Sequence, residues 1–245
     1  MTFPLADSRK RFSPGKFSFD FALGCLLALG TFVLYAQTLV PAVLDGDQGE
    51  FQFMLPALGI PHPTGFPLYV LLGHIWSWLP VGSLAYRINL FSAFFAALTV
   101  GALYLALARQ NLHRLAALGG AVTLAVLPQF WQYATVAAVY RLHDFIIVLL
   151  FLFLAEWERT RRVAWLGAAG LTFGFDLANH LTILFFAPIT GIFVILVAGR
   201  DLLKQVRSYL VCAGLVALPL VLYLYFPLSA AQLLSNQPVL PNWQR

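Results

Sequence analysis

The sequence predicts an all-α, polytopic membrane protein with about seven transmembrane helices and a long first external loop of interfacial helices. Three observations predict it. Of the 245 residues, 60% are hydrophobic and only 10% charged, against about a quarter charged in ordinary soluble domains, and the mean hydropathy is +0.81. The basic residues fall in short clusters between apolar stretches, as topology signals do. One apolar stretch fenced by prolines is too short to cross a bilayer. At about 20 residues per span, the chain has room for seven or eight helices and short loops, and little for a soluble catalytic domain. The net charge of +5 then reports orientation and attraction to anionic membrane lipids, and no nucleic-acid partner is expected.

Taken in order, residues 1–19 carry Arg9, Lys10, Arg11 and Lys16 among Ser, Pro and Gly, and read as a cytoplasmic arm. The apolar stretch Phe21–Leu44 exceeds the roughly 7 to 15 residues of a signal-peptide core, so it reads as a retained first span. Further spans are expected at 84–108, 115–131, 135–155, 163–179, 181–199 and 208–228. Residues 20–228 would then be the transmembrane domain, with 45–83 its external loop and 229–245 an external C-terminal segment. Threading from a cytoplasmic N-terminus leaves only Arg87, Arg141 and Arg245 outside among the 15 basic residues, a positive-inside pattern for a multi-pass protein of the cell membrane. Cys25 and Cys212 lie in apolar stretches and read as buried small hydrophobes, with no disulfide framework or metal spacing.

The external loop breaks the spanning pattern. A helix is expected over Gln48–Leu58. The segment Leu68–Leu79, between Pro67 and Pro80, reaches only about 18 Å as a helix, against a hydrocarbon core of about 30 Å. It should lie along the interface, where His74, Trp76 and Trp78 suit the headgroup region.

The run Leu44-Asp45-Gly46-Asp47-Gln48-Gly49-Glu50 puts three carboxylates on the outer surface. Asp47 and Glu50 have the spacing of a capping box, and carboxylates at an apolar interface also suit a general base. Asp45, Asp47 and Glu50 could bind a divalent ion through oxygen, but no His or Cys spacing marks a metal site and none is assigned. Other outward polar residues are Arg87 and Asn89 at the start of the second span, Tyr140, Arg141, His143 and Asp144 in the fourth, and Asp176, Asn179 and His180 in the turn after the fifth. Arg141 and Asp144 could simply pair at i, i+3, Asn179 and His180 could cap a hairpin, and Arg87 could snorkel to headgroups. Their shared side of the membrane favours a site.

These residues also carry a resemblance. The runs Gly46-Asp47-Gln48-Gly49-Glu50, Gly59-Ile60, His62-Pro63-Thr64-Gly65-Phe66-Pro67-Leu68-Tyr69, Arg87-Ile88-Asn89-Leu90-Phe91-Ser92-Ala93 and Asn179-His180-Leu181-Thr182 resemble the O-mannosyltransferase-like transmembrane family of the GT-C glycosyltransferase superfamily. Tyr223-Leu224-Tyr225-Phe226-Pro227-Leu228 and Pro241-Asn242-Trp243 look like that family's last helix and the segment after it. The chain departs from the pattern where the family usually has Glu before Val-Tyr, since Ala138 precedes Val139 and Tyr140. Family members also commonly continue past the Asn-Trp segment, so a divergent short member or an incomplete copy is expected.

The resemblance implies transfer of a sugar, mannose by family expectation, from a polyprenyl-phosphate donor to a hydroxyl of a protein or glycan acceptor on the external or periplasmic face. The donor is a co-substrate, and no cofactor is assigned. On this basis Asp47 is expected as general base, with Glu50 positioning the acceptor or supporting the base and Asp45 in reserve, and the transfer inverts the anomeric centre. Asp45, His62, Arg87, Asn89, Tyr140, Arg141, His143, Asn179 and His180 are the expected substrate-binding residues, with Arg87, His62, Arg141 or His180 meeting the phosphate. Two other readings stand beside it: a catalytically inactive or partial member acting as a scaffold, and a transporter or lipid-binding protein. No inverted repeat or matching pair of broken helices supports the transporter. The external position of the loop is testable by labelling. The variant Gln48→Cys should react in intact cells with a membrane-impermeant thiol reagent, and reaction only after the membrane is opened would place the loop on the other side.

Overall fold

The computed structural model describes residues 14–110, 112–199 and 201–236. Arg9, Lys10, Arg11, Pro241, Asn242, Trp243 and Arg245 lie outside the described residues. Every regular element among those described is helical. They are α1 (Pro14–Gln37), α2 (Gly46–Ala57), α3 (Pro67–Trp76), α4 (Leu84–Arg109), α5 (Arg114–Val126), α6 (Pro128–Ala134), α7 (Tyr140–Thr160) and α8 (Val163–Leu177). A 3-10 turn at Leu181–Phe186 precedes α9 (Ala187–Ala198), followed by α10 (Asp201–Lys204) and α11 (Val206–Ala217). A second 3-10 stretch, Leu218–Leu224, leads into α12 (Tyr225–Asn236).

The all-α, multi-pass expectation stands, but the expectation of about seven transmembrane helices is corrected. Among the described residues four helical stretches are long and apolar enough to cross a membrane: Ser18–Gln37, Leu84–Arg109, Leu181–Ala198 and Val206–Ala231. A fifth is added only if α5 and α6, bent by 61°, count as one span. Sequence windows averaged over features that backbone geometry separates. Pro128, which has no N–H to donate to the preceding turn, opens a new helix after Leu127, before the expected third span ends at 131. The expected fourth span began at residue 135, yet α7 starts only at Tyr140 and holds Arg141, Asp144, Glu156, Glu158 and Arg159 near its two ends. At 15 residues, α8 is about 22 Å long. The first span ends at Gln37, and residues after it run as an irregular segment to α2.

The two short helices expected in the 45–83 segment form where prolines and turns mark them. In α3 the ring of Pro67 sits at the first turn, where no N–H is needed. The capping box expected of Asp47 and Glu50 is replaced by Asp45 at the N-cap, with no side-chain cap bond. Gly49 is needed there because a Cβ would lie 2.0 Å from the Leu44 carbonyl oxygen.

The long helices pack through small residues, as helices in lipid do when no hydrophobic drive separates side chain from solvent. On α1 and α4, Gly24 and Gly101 bring the backbones so close that a Cβ on Gly101 would stand 2.6 Å from the Gly24 carbonyl oxygen. Cys212 is buried against α8, whereas Cys25 is exposed on α1, correcting the burial expected for it. The outer faces of α9 and α11 present Leu196, 76% exposed, and Leu210, 66% exposed, which suits contact with lipid.

Charges gather at one end of the bundle. Glu156, almost wholly buried, receives Arg109 and Arg159, each at 2.5 Å, and Asp20 receives Arg114 at 2.7 Å and the Tyr104 hydroxyl at 3.2 Å. The α2–α3 hairpin caps the opposite end. Replacing Gly101 by Ile should lower stability by about 1–3 kcal/mol through overpacking, seen as a fall in Tm of purified protein in detergent. Gly30→Ala, where nothing lies within 4 Å, should leave Tm unchanged or slightly raised; equal effects of the two would refute the close contact.

Candidate functional site

Two polar clamps hold the segment that delivers the carboxylates. The fully buried Asn89 donates from Nδ2 to the Val40 carbonyl at 2.7 Å and accepts from Gln52 Nε2 at 2.9 Å. Gln52 in turn accepts the Leu44 N–H at 2.9 Å and donates to the Ala42 carbonyl at 3.3 Å. These bonds satisfy backbone groups that would otherwise be stranded beside lipid. They also fix where α2 begins, and so where Asp47 and Glu50 project. Gln52 was missed in the sequence; its signal was its place two residues beyond Glu50, on the opposite face of a short helix.

Glu50 then organises the next turn. One carboxylate oxygen accepts the His62 backbone N–H at 2.9 Å, while the other meets His62 Nδ1. His62 packs edge-on to Phe66 at 5.2 Å, and Phe66 stacks on His180 at 5.8 Å and 17°. The Leu68 N–H donates to the Ala178 carbonyl at 2.9 Å, tying this turn to the end of α8. From the other side, the Tyr225 and Ser229 hydroxyls both donate to the Leu58 carbonyl, at 2.6 and 2.7 Å.

The result is a cavity of about 280 Å³ between α2, the α2–α3 turn, the Thr135–Val139 stretch and the turn after α8. Asp47, His62, His180, Thr182 and Tyr140 supply its polar lining, and Phe51, Phe66 and Tyr133 its aromatic walls. Asp47 is exposed; His62 and His180 are partly buried. Burial, with the nearby His143, holds the His180 imidazole below its ordinary value, so this ring is neutral at pH 7. Donor atoms of Asp47, Glu50 and His62 lie within 4.8 Å of one another and could hold a cation. Sequence spacing concealed that trio, since His62 joins it from across a turn.

The expected site residues divide by position. Asp47, His62, Tyr140 and His180 face the cavity, and Glu50 stands behind His62. Asp45 is exposed at the N-cap of α2. Arg87 is tied to the α3–α4 loop, donating to the Ser77 carbonyl at 2.6 Å and accepting from Trp76 Nε1 through its own carbonyl. Arg141 is buried, pairs with Asp144 at 2.9 Å and lies 4.2 Å over the Phe130 ring. Asn179 donates to Asp176 Oδ1 at 3.3 Å, and His143 Nδ1 stands 2.8 Å from Asp176 Oδ2, both behind the cavity wall. Ala138 is in the wall itself, its N–H donating to Ser92 Oγ at 2.9 Å.

No solved structure matches the chain. Among curated proteins, the Protein O-mannosyl-transferase tmem260 of Dictyostelium discoideum is 26% identical over 221 residues, covering 82% of this chain and 27% of its own length. The Protein O-mannosyl-transferase TMEM260 of Mus musculus is 27% identical over 206 residues, covering 80% of this chain and 29% of its own. The chain thus spans less than a third of the length of these relatives. A family model described as the Protein O-mannosyl-transferase TMEM260 N-terminal domain matches residues 47–202, from the first cavity carboxylate to the start of α10. By that match, which takes in most of the chain, the protein belongs to the O-mannosyl-transferase TMEM260 N-terminal domain family.

Proposed function

We propose that the cavity is the sugar-transfer site of an integral membrane glycosyltransferase, with a polyprenyl-phosphate-linked sugar, mannose by the relatives' names, as donor and a protein or glycan hydroxyl as acceptor. The observation that carries this reading is the meeting of the Asp47 carboxylate and two imidazoles, His62 and His180, on one small cavity with aromatic walls. Asp47 accepts the hydroxyl proton as the acceptor oxygen bonds to the anomeric carbon. The bond from that carbon to the phosphate breaks, and its electron pair leaves on the phosphate oxygen. Attack and departure on opposite faces invert the centre. Glu50 supports by fixing the His62 turn.

The cavity is assigned to the external face, with the N-terminus cytoplasmic. Supporting this, Arg109, Arg114 and Arg159 crowd the end of the bundle away from the cavity with Asp20 and Glu156, as cytoplasmic ends do. A membrane-anchored donor also suits a face without nucleotide sugars.

A second reading rests on Ala138. It stands in the cavity wall where the resembled family usually has Glu, and a chain lacking that carboxylate could serve as a catalytically silent scaffold. One assay separates the two. Purified protein given polyprenyl-phosphate mannose and a hydroxyl-bearing peptide should release polyprenyl phosphate, and Asp47→Asn should slow that release by about a hundredfold or more at unchanged Tm. Undiminished release in Asp47→Asn would remove the base assignment. No release by the parent chain, with release gained in Ala138→Glu, would establish the silent reading.

A further inference from the structure

A row of four polar side chains runs inward from the cavity wall, and the hydrogens at its cavity end can be assigned from geometry. Asp176, fully buried at the end of α8, accepts from Asn179 through Oδ1, and its Oδ2 stands 2.8 Å from His143 Nδ1. That contact is close enough for an ion pair but lies outside hydrogen-bonding angles, so the position of a proton is not read from it. Across the same ring, His143 Nε2 is 3.0 Å from Thr182 Oγ1, and Thr182 Oγ1 is 2.7 Å from His180 Nδ1. The Thr182 backbone N–H also approaches His180 Nδ1, at 3.4 Å, and a backbone N–H can only donate.

That last contact sets the direction of the row. His180 Nδ1 is an acceptor and carries no hydrogen. It takes the Thr182 hydroxyl hydrogen, the Thr182 oxygen then accepts from His143 Nε2–H, and the neutral His180 ring must hold its own hydrogen on Nε2. His180 lines the cavity, and its Nε2 has no hydrogen-bond partner among the described residues. Stacking on Phe66, with Tyr140 at 5.5 Å on another side, keeps the ring from turning over.

We infer that His180 donates its Nε2–H to the phosphate of the lipid-linked donor, and that Asp176, His143 and Thr182 are positioning residues that hold His180 in this donor tautomer. The inference rests on the reading of the cavity as the sugar-transfer site. It gives the phosphate a fixed neutral donor where Arg87 and Arg141 are engaged elsewhere, with the Ser77 carbonyl and with Asp144.

The tautomer is testable without turnover. With only five histidines, nitrogen NMR of ¹⁵N-histidine-labelled full-length chain in detergent should show His180, assigned by its loss in His180→Phe, as the Nε2–H form. Thr182→Val keeps the backbone N–H that makes Nδ1 an acceptor but loses the hydroxyl bonded to it, so His180 should remain the Nε2–H form with its Nδ1 resonance shifted toward that of a weakly hydrogen-bonded acceptor, and Thr182→Ser should restore the parent position. Finding His180 as the Nδ1–H form in the parent chain would overturn the assignment. Binding of a short-chain polyprenyl phosphate, followed by titration calorimetry, should weaken about tenfold in His180→Phe and several-fold in Thr182→Val, with Thr182→Ser like the parent. Unchanged affinity in His180→Phe and Thr182→Val would overturn the phosphate contact; should His180→Phe fail to fold, the two Thr182 variants carry the comparison. Absence of sugar transfer by the parent strikes only the reading of the cavity, because tautomer and phosphate affinity are read independently of it.

Discussion

The ring of Phe66 sits between two imidazoles, and the rest of the site depends on its being there. Its own backbone is in the left-handed region, at φ 48°, which a bulky residue adopts at a cost of order 1 kcal/mol or more. Packing holds it in place. His62 meets one edge, His180 stacks on a face, and Phe51 abuts it at 5.6 Å. Gly65, at φ 83°, places its backbone so near the Phe226 ring that a Cβ would overlap it. Through Phe66, the turn between α2 and α3 and a turn more than a hundred residues later become two walls of one cavity. A smaller residue at position 66 would free both imidazoles at once.

How far such an arrangement can be read from sequence differs between elements. The two short helices α2 and α3 were legible to within a few residues, because prolines and an acidic N-terminal turn act locally: Gln48–Leu58 was expected and Gly46–Ala57 forms; Leu68–Leu79 was expected and Pro67–Trp76 forms. Spans α1 and α4 were legible because each is one uninterrupted apolar run. The number of spans was not, since a hydropathy window cannot see a 61° bend at Leu127–Pro128 or the shortness of α8. It sums apolar residues across a break as readily as along a helix.

The site was legible in its residue types more than in their directions. Asp47 and His180 face the same cavity, from motifs separated by over a hundred residues. Arg87 and Arg141, the obvious cations for an anionic donor, bind nearby backbone carbonyls, and Arg141 also holds Asp144 and lies over an aromatic face. A guanidinium at a lipid interface takes the nearest acceptors, and no sequence pattern says whether those belong to a ligand or to its own loop. Thr182, although part of a family-like run, was given no role for the opposite reason. It is a small residue with no charge, and its part emerges only from the two imidazoles on either side of its hydroxyl.

That use of a neutral row has a physical logic beyond positioning. A full positive charge in a site of low dielectric binds an anionic product as tightly as it binds the developing charge of the transition state, and so favours slow release. In the proposed reading, a neutral N–H donor, aimed in advance by Asp176, His143 and Thr182, would interact weakly with the spread charge of a bound lipid-phosphate donor and more strongly as the electron pair arrives on the phosphate oxygen. Its orientation needs no rearrangement at that moment. The Asp176 and His143 pair that anchors the row lies deeper, with the Thr182 hydroxyl and the His180 ring between it and the cavity. Distance therefore softens the electrostatic pull on the product while the hydrogen bonds preserve the aim.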